Sequence, residues 1–351
     1  MTRGRRNPLL ALSALVLALA GPACTKSSPT AEDAKTEPAA APAAAADDAQ
    51  EEAAPAAAAP AAAGGEEITT TLPAPEIKLL DAGQEPRAPL RVKVEAGQRE
   101  TMLMTMTMGM EMDMGGMGAM PKMAMPPIAM SMGIHVTSVS DTGDFRYEFS
   151  LDSVDVKARP SDPPEIAEAM KGAMAGMVGM SGSSVVSNRG EVREASFKLP
   201  PNALPQVKQT MDSMQQSIKQ IAVPFPEEAV GIGAKWEVIS AGAEINGITM
   251  TQKSSYEVLE RDGDTLTLAT TVNQDAEPQV MKAPGIPATA TVYLEELESD
   301  GSGKSSFNLT HVSPVSGTMD LTSKMRMSVD AGGQKQAMKM NMDLGLEIEG
   351  K

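Results

Sequence analysis

The feature that most constrains the fold is a run of methionines at every second residue. Between residues 101 and 114 methionine occupies every even position, while threonine, glutamate and aspartate are among the residues between them. Successive side chains of a strand point to opposite faces, whereas a helix would scatter a two-residue repeat around its axis. The run therefore predicts a long strand with one thioether face and one largely polar face. Its members are Met102, Met104, Met106, Met108, Met110, Met112 and Met114.

The same alternation predicts further strands along most of the chain. Residues 90–94 share the parity of the methionine run, and residues 130–136 repeat it. A turn sequence at residues 141–144 makes residues 145–151 a hairpin partner for this second segment. Later strands are predicted over residues 236–239, 248–259, 266–272, 289–297, 305–312, 319–329 and 338–348. Turn sequences at residues 261–264, 300–303 and 330–333 separate several of them.

Two amphipathic helices are predicted among the strands. The first starts with Asp162 as N-cap, Pro163 in the first turn and Glu165 as the capping-box acid. The second covers residues 205–221 and ends before Pro224, because proline cannot continue a helix. The first apolar stripe contains Ile166, Met170, Met174 and Met177, and the second contains Val207, Met211, Met214, Ile218 and Ile221.

Many strands joined by short turns predict an antiparallel sheet whose apolar face must be covered. The fold class is therefore α+β and mainly β: one strongly curved antiparallel sheet, a half-barrel, packed on two amphipathic helices. No internal repeat is evident, so we assign residues 75–351 to a single domain.

The N-terminal residues are typical of a bacterial secretion signal. Residues 1–23 have a basic start followed by an apolar stretch of twelve residues, which is short for a membrane-spanning helix of ~20 residues. The single cysteine, Cys24, follows directly, and residues 19–24 resemble a lipobox. This resemblance implies a diacylglyceryl group on the Cys24 sulfur and a mature chain that begins there. The alternative is an ordinary cleaved signal with a cysteine beside it.

The residues after Cys24 predict a disordered tether. Up to residue 74 the chain is rich in alanine, proline and acidic residues, and such a composition cannot bury enough apolar surface to offset its ordering entropy. We expect residues 24–74 to link a membrane anchor to the domain. Thr25 stands where enterobacterial sorting places an inner-membrane retention aspartate, which by analogy favours the outer membrane.

Two resemblances follow from these residues. The order of elements resembles the half-barrel fold of lipoprotein-localisation factors and mycobacterial lipid-binding lipoproteins. The methionine strand, together with Phe225-Pro226, Val230-Gly231 and Trp236, resembles an uncharacterised family of methionine-rich bacterial envelope lipoproteins. That family implies no activity.

The methionines suggest a deformable apolar lining. A thioether side chain is unbranched and polarizable, so a face made of it can adapt to differently shaped apolar partners. We therefore expect a cavity for a lipid or another apolar molecule, whereas a solid interior built of methionine is the alternative. The predicted lining consists of the seven methionines of the first run together with Met132, Met325, Met327, Met338, Met340 and Met342.

Copper(I) is a third hypothesis, because thioethers are soft ligands for that ion. The best candidates lie in an irregular, glycine- and proline-rich stretch and are Met117, Met120, Met123 and Met125.

Composition narrows the remaining function classes. The 46 acidic residues outnumber the 30 basic ones and give a net charge of −16, which excludes a basic nucleic-acid groove as the main function. The chain has two histidines and one cysteine, and no nucleophile motif, zinc spacing or phosphate loop, so neither enzymatic activity nor a cofactor is predicted. By parity His135 should lie on the outer face and His311 should point inward, while Trp236 should anchor packing at the start of a strand.

Overall fold

A computed structural model describes residues 67–71, 75–115, 118–198, 223–245, 248–281, 290–331 and 334–351. The chain divides into two compact units, Met1–Gly64 and Gly65–Lys351, and every described residue belongs to the second. The predicted signal, Cys24, most of the predicted tether and the predicted helix at residues 205–221 lie outside the described residues.

The described residues form fifteen strands and one helix. The strands are β1 (Glu67–Thr71), β2 (Glu76–Asp81), β3 (Arg99–Asp113), β4 (Ala119–Ala124), β5 (Ile128–Val139), β6 (Phe145–Val156), β7 (Ser181–Val186), β8 (Val192–Lys198), β9 (Lys235–Ile245), β10 (Ile248–Asp262), β11 (Thr265–Ala276), β12 (Gln279–Met281), β13 (Ala290–Asn308), β14 (Ser316–Ala331) and β15 (Gln334–Gly350). The helix, α1, is Pro164–Ala175. Strand β1 precedes the predicted domain boundary at residue 75.

All fifteen strands belong to one antiparallel sheet, as the sequence predicted. The order is β1-β8-β7-β6-β5-β3-β15-β14-β13-β11-β10-β9-β2, with β4 paired to β3 and β12 paired to β13. The strands that follow each other in the chain mostly pair as hairpins, which is what short turns between amphipathic strands favour. The two strands at the ends of this order, β1 and β2, are close in sequence.

The predicted hairpins at the β5–β6 and β10–β11 connections are confirmed. Val139 pairs with Phe145 across the predicted turn, in which Gly143 has a φ of 81°. Asp262 pairs with Thr265 around Gly263, whose φ is 58°.

The turn predicted at residues 300–303 is wrong, because a single strand, β13, runs through it. Gly301 pairs with Val272 of β11 on one side and with Leu321 of β14 on the other. The local preference of an Asp-Gly-Ser-Gly sequence for a turn is outweighed by ladder hydrogen bonds on both sides of the strand.

The strand predicted at residues 90–94 is also wrong. These residues belong to an irregular connection between β2 and β3, although Leu90 and Val94 are buried. Val92 N donates to Asn188 O at 2.7 Å, so the connection touches the β7–β8 turn.

The same connection reaches several other turns at this end of the sheet. Lys93 N donates to Leu309 O at 2.6 Å, and the Lys93 side chain pairs with Asp264 at 2.7 Å. Gly97 N donates to Val136 O at 2.7 Å. Because its hydrogen bonds go to the β13–β14 turn, the β10–β11 turn and β5 in succession, the connection crosses this end of the sheet instead of joining it as a strand.

The helix differs from the prediction at its start. Its N-cap is Pro163, and no side chain caps it. The Asp162 carboxylate instead accepts hydrogen bonds from the backbone N and guanidinium of Arg159, at 2.7 and 2.9 Å. Only Ala167 of the helix is buried, and its main contact is with β6, so it does not cover the methionine strand.

Candidate functional site: a methionine-rich apolar face

The methionines of β3 share one face of the sheet with the hydrophobic core. Met104 lies directly opposite Ile348 of β15 and Met130 of β5, and directly opposite residues point to the same face. Ile348 in turn lies opposite Gly317 of β14, and Gly317 lies opposite Ser305 of β13. Ser305 lies opposite Leu268 of β11, and Leu268 lies opposite Val258 of β10. Leu268 and Val258 are buried, so we call this side of the sheet the apolar face.

At one end the apolar face is covered by a core cluster around Trp236. The indole is fully buried, stacks on Tyr256 with ring centroids 5.3 Å apart, and donates from Nε1 to Pro224 O at 3.0 Å. Leu90 packs into the same cluster. The predicted role of Trp236 as a packing anchor is confirmed.

The predicted lining methionines occupy the centre and the opposite part of this face. In β3 and in the neighbouring strands most of them are half-buried, and Met114 lies just beyond the end of β3. Met112, Met327 and Met338 are buried, with 4–6% of their surface exposed. This part of the face is therefore largely apolar and remains partly accessible between its buried ends.

The register brings nine methionines from four adjacent strands together, and we call them the methionine patch. Met340 of β15 lies directly opposite Met325 of β14 and Met112 of β3, and Met112 lies opposite Met120 of β4. The other members form the opposite pairs Met342–Met110, Met110–Met123 and Met327–Met338.

The other methionines of the first run meet different neighbours. Met106 and Met108 face Leu346 and Leu344 of β15, so no methionine lies opposite them on that strand. Met102 lies opposite Met132. The structure thus places the predicted lining residues on one face but assembles only part of them into methionine-on-methionine rows.

The stretch predicted to be irregular around Met120 is a strand. Residues Ala119–Ala124 form β4, which pairs with β3 beyond the end of β5. Met120 is half-buried and Met123 is 43% exposed. Met125 is half-buried just after the strand, and Met117 lies outside the described residues. The prediction failed because pairing with β3 outweighs the weak local strand preference of this Pro- and Met-rich sequence.

A network of polar side chains interrupts the apolar face on β10, β11, β13 and β14. Gln274 Nε2 donates to Gln252 Oε1 at 2.7 Å, and Gln252 Nε2 donates to Ser254 Oγ at 3.2 Å. On β13 and β14, Ser299 Oγ donates to Ser323 Oγ at 2.8 Å. All of these groups are uncharged, and all but Gln274 are buried. The sequence indicates this network by polar residues on the apolar side of a strand. Gln252 and Ser254 stand at alternate positions of β10, between Met250 and Tyr256.

Burial also affects the phenol next to this network. The pKa of the Tyr256 hydroxyl is raised to about 12, because desolvation disfavours the phenolate and outweighs a hydrogen bond with Ser254. Tyr256 is therefore neutral at any physiological pH.

The buried carboxylate Glu100 joins the apolar face to the β13–β14 turn. Its Oε1 accepts from Val312 N at 2.9 Å and from Gln98 Nε2 at 2.8 Å. Its Oε2 accepts from Ser313 N at 3.0 Å and from Ser313 Oγ at 2.6 Å. This carboxylate is fully engaged in holding one end of the sheet together, and sequence reasoning missed it.

Polar residues on the opposite side of the sheet hold the methionine-bearing strands in register. Lys122 of β4 forms an ion pair with Asp343 of β15, and Thr322 Oγ1 of β14 donates to the same carboxylate at 3.1 Å. The Lys122 hydrogen bond lowers the pKa of Asp343. Gly109 of β3 lies beneath this bridge, where a Cβ would come within 3.2 Å of the Lys122 side chain. A polar clamp thus spans all four strands directly behind the methionine patch.

Two surface depressions lie away from the methionine patch. One, of about 390 Å³, is lined by Gly242, Met250, Asp275 and Gln279 among others. The other, of about 500 Å³, lies at the opposite end around Lys93, Gln98 and His311.

Neither histidine lies in the methionine patch. His135 is half-buried opposite Glu148 and Arg99. His311 is exposed in the β13–β14 turn, where its Nδ1 lies 3.1 Å from Thr310 Oγ1, so the predicted inward orientation is wrong. The parity argument failed because β13 ends at Asn308, before His311.

Comparison with known proteins gives little to add to this geometry. No protein-family model matches the chain, and no curated protein matches it. Among solved structures, the outer membrane protease OmpT from Escherichia coli aligns with 9% identity and a TM-score of 0.19, over 76% of this chain and 98% of that one. A TM-score of this size supports no conclusion about fold or function.

Within the described ranges, no group of three or more histidine, cysteine, aspartate or glutamate side chains is arranged to hold a metal ion. No helix in the described part of the chain combines the length and the apolarity needed to cross a bilayer.

Proposed function

We propose that this protein is a lipid-anchored envelope lipoprotein that binds or carries a lipid or another apolar molecule on its methionine-rich face. The observation that carries the proposal is that part of this apolar face is exposed. Met104, Met106 and Met108 share it with the hydrophobic core yet stay half-buried, so adaptable apolar surface is left uncovered. Such surface is the usual basis for binding apolar partners.

The sheet order supports the strong curvature that this function needs. Twelve strand-to-strand steps separate β1 from β2, which would place them ~58 Å apart in a flat sheet with a strand spacing of about 4.8 Å. The chain allows at most ~18 Å between Thr71 and Glu76, since an extended residue spans no more than about 3.6 Å. A strongly curved sheet resolves the conflict, and if the apolar face lies on its concave side, that face becomes the wall of a hollow.

The polar groups on this face suggest which part of a ligand enters. Gln252, Gln274 and Ser254 are neutral and already hydrogen-bond one another. Acyl chains are compatible with such a wall, whereas an ionic headgroup would lose its hydration without gaining a charged partner. We therefore propose that an amphiphile leaves its charged group outside the hollow.

The second candidate is a structural or interaction protein with a filled interior. This candidate is favoured by the side chains of Leu321 and Met319, which lie close to two glycines of β13. A Cβ at Gly301 would meet Leu321 Cδ1 at 2.8 Å, and one at Gly303 would meet Met319 Cε at 3.1 Å. These two side chains occupy space that a guest would need.

Native mass spectrometry of the full-length protein, purified without detergent, separates the two candidates. A copurifying apolar molecule that organic extraction removes supports the carrier. A bare protein mass, together with no binding of a fluorescent fatty-acid analogue, supports the filled interior and refutes the carrier.

The anchor is tested separately by Cys24→Ser. We expect this variant to lack the mass of attached acyl chains and to leave the membrane fraction. An unchanged mass and an unchanged membrane fraction would refute lipidation at this cysteine.

A further inference from the structure

The methionine patch concentrates thioethers in one part of the apolar face. Along the apolar side of β15, residues 338–342 carry methionine at every second position, whereas Leu344, Leu346 and Ile348 continue the same side. The change from methionine to leucine therefore occurs along the same side of the same strand, β15. Methionine is therefore most concentrated where the opposite strands also present methionine.

The register gives Met340 a distinctive position. It lies directly opposite Met325 on one side and Met112 on the other, and opposite residues have Cβ atoms ~4.5–5.5 Å apart. Each methionine side chain carries its sulfur at the end of two further flexible bonds, so three sulfurs from three strands can converge on one point. Same-face neighbours within a single strand are ~6.8 Å apart and cannot do this as easily.

The surroundings match a soft ion and not a hard one. Within the described residues no histidine, cysteine or carboxylate cluster competes for a metal. Neutral thioethers select Cu(I) and similar soft ions, whereas Mg²⁺ and Ca²⁺ need oxygen ligands. Met112 is buried while Met325 and Met340 are half-buried, so an ion could approach from one side and be shielded on the other.

The polar clamp behind the patch supplies the rigidity of a binding site. Lys122, Asp343 and Thr322 tie β4, β15 and β14 together across β3. A site on packed strands keeps its ligands in position better than one on a loop.

We propose that Met340, Met112 and Met325 form a binding site for a soft monovalent metal ion, Cu(I) or Ag(I). Binding adds the ion to neutral sulfur lone pairs, with no proton or electron transferred. The proposal does not depend on the carrier function, since Met102–Met108 would serve that function without it.

The test titrates the full-length protein anaerobically with Cu(I), supplied as its acetonitrile complex and competed by bicinchoninate. We expect one tightly bound ion, no binding of Zn²⁺ under the same conditions, and an X-ray absorption spectrum with sulfur as the main scatterer. The Met340→Leu variant should bind Cu(I) at least tenfold more weakly.

Met108→Leu is the matched control, because Met108 has the same exposure class and face but lies opposite Leu344. It should bind Cu(I) within twofold of the parent. Leucine is close to methionine in volume, so both variants should fold, and circular dichroism checks this. If Met340→Leu does not fold, Met325→Leu replaces it with the same expectation.

Three results would overturn the site: no Cu(I) binding by the parent, unchanged affinity in a folded Met340→Leu or Met325→Leu variant, or an equal loss in Met108→Leu. None of these would affect the carrier function, because fatty-acid binding is measured without metal.

Discussion

Replacing Glu100 by glutamine should destabilise the protein strongly, although the side chain keeps its shape. The carboxylate is 7% exposed and accepts four hydrogen bonds, two at each oxygen. A glutamine amide has only one oxygen, so its NH₂ group must face one pair of donors. A buried donor left without an acceptor costs about 1–3 kcal/mol.

The number of donors left unsatisfied depends on how the amide of the glutamine variant is oriented. If the NH₂ group faces Ser313, the Ser313 hydroxyl can rotate and accept a hydrogen bond, but Ser313 N stays unsatisfied. If it faces the other pair, both Val312 N and Gln98 Nε2 lose their acceptor. The first orientation leaves fewer donors unsatisfied, so we expect a loss of about 1–3 kcal/mol in the free energy of unfolding.

Urea unfolding followed by circular dichroism measures this loss. With a denaturant slope of roughly 3 kcal/mol per molar, the midpoint should fall by ~0.3–1 M. Glu347→Gln is the control, because Glu347 is exposed on β15, and its midpoint should not change. A Glu100→Gln midpoint equal to that of the parent would refute the argument that these donors depend on the carboxylate.

Three further predictions concern the lining, the buried phenol and two glycines. The double variant Met104→Leu/Met106→Leu should bind a fluorescent fatty-acid analogue within a few fold of the parent, because leucine preserves apolarity and volume; a large loss with an intact fold would contradict the carrier proposal. The raised pKa of Tyr256, about 12 against 10.0, means that the folded state holds this proton more tightly, so up to about 3 kcal/mol of stability present below pH 10 is lost as pH rises to 12. Tyr256→Phe should therefore flatten stability measured by urea unfolding between pH 10 and 12, and an unchanged slope would exclude this cause. Gly172→Ala, in a helix with open space around it, should raise the thermal midpoint by a stabilisation of about 1 kcal/mol, whereas Gly303→Ala should lower it because its Cβ would collide with the Thr318 carbonyl; equal midpoints would contradict the packing.

The alternation of residues was enough to predict many of the strands and the face of the methionines, but not β4. Met102–Met112 lie on one side of β3 because the side-chain period of a strand is two, and this holds whatever the partner strand. The hairpins at Gly143 and Gly263 were predictable for a similar local reason, since the turn residues and the flanking apolar positions agree.

The features that local patterns did not predict depend on pairing between strands far apart in the sequence. The Asp-Gly-Ser-Gly sequence at residues 300–303 has turn preference, but ladders with β11 and β14 keep β13 straight through it. Residues 90–94 have the strand pattern, yet their hydrogen bonds to separate turns make them a crossing connection. The donors that satisfy Glu100 come from residues 98, 312 and 313, which no local pattern associates with it.

The methionine patch shows most clearly the difference between what local sequence predicts and what strand pairing decides. The acidic chain and the sulfur-rich face of the sheet were predictable, because composition and periodicity are local properties. The position of Met340 between Met325 and Met112, and of Met108 beside Leu344, became evident only from the pairing of the strands. Register depends on how strands far apart in the chain align, and an alignment shifted by two residues would keep every side chain on its face and change every neighbour.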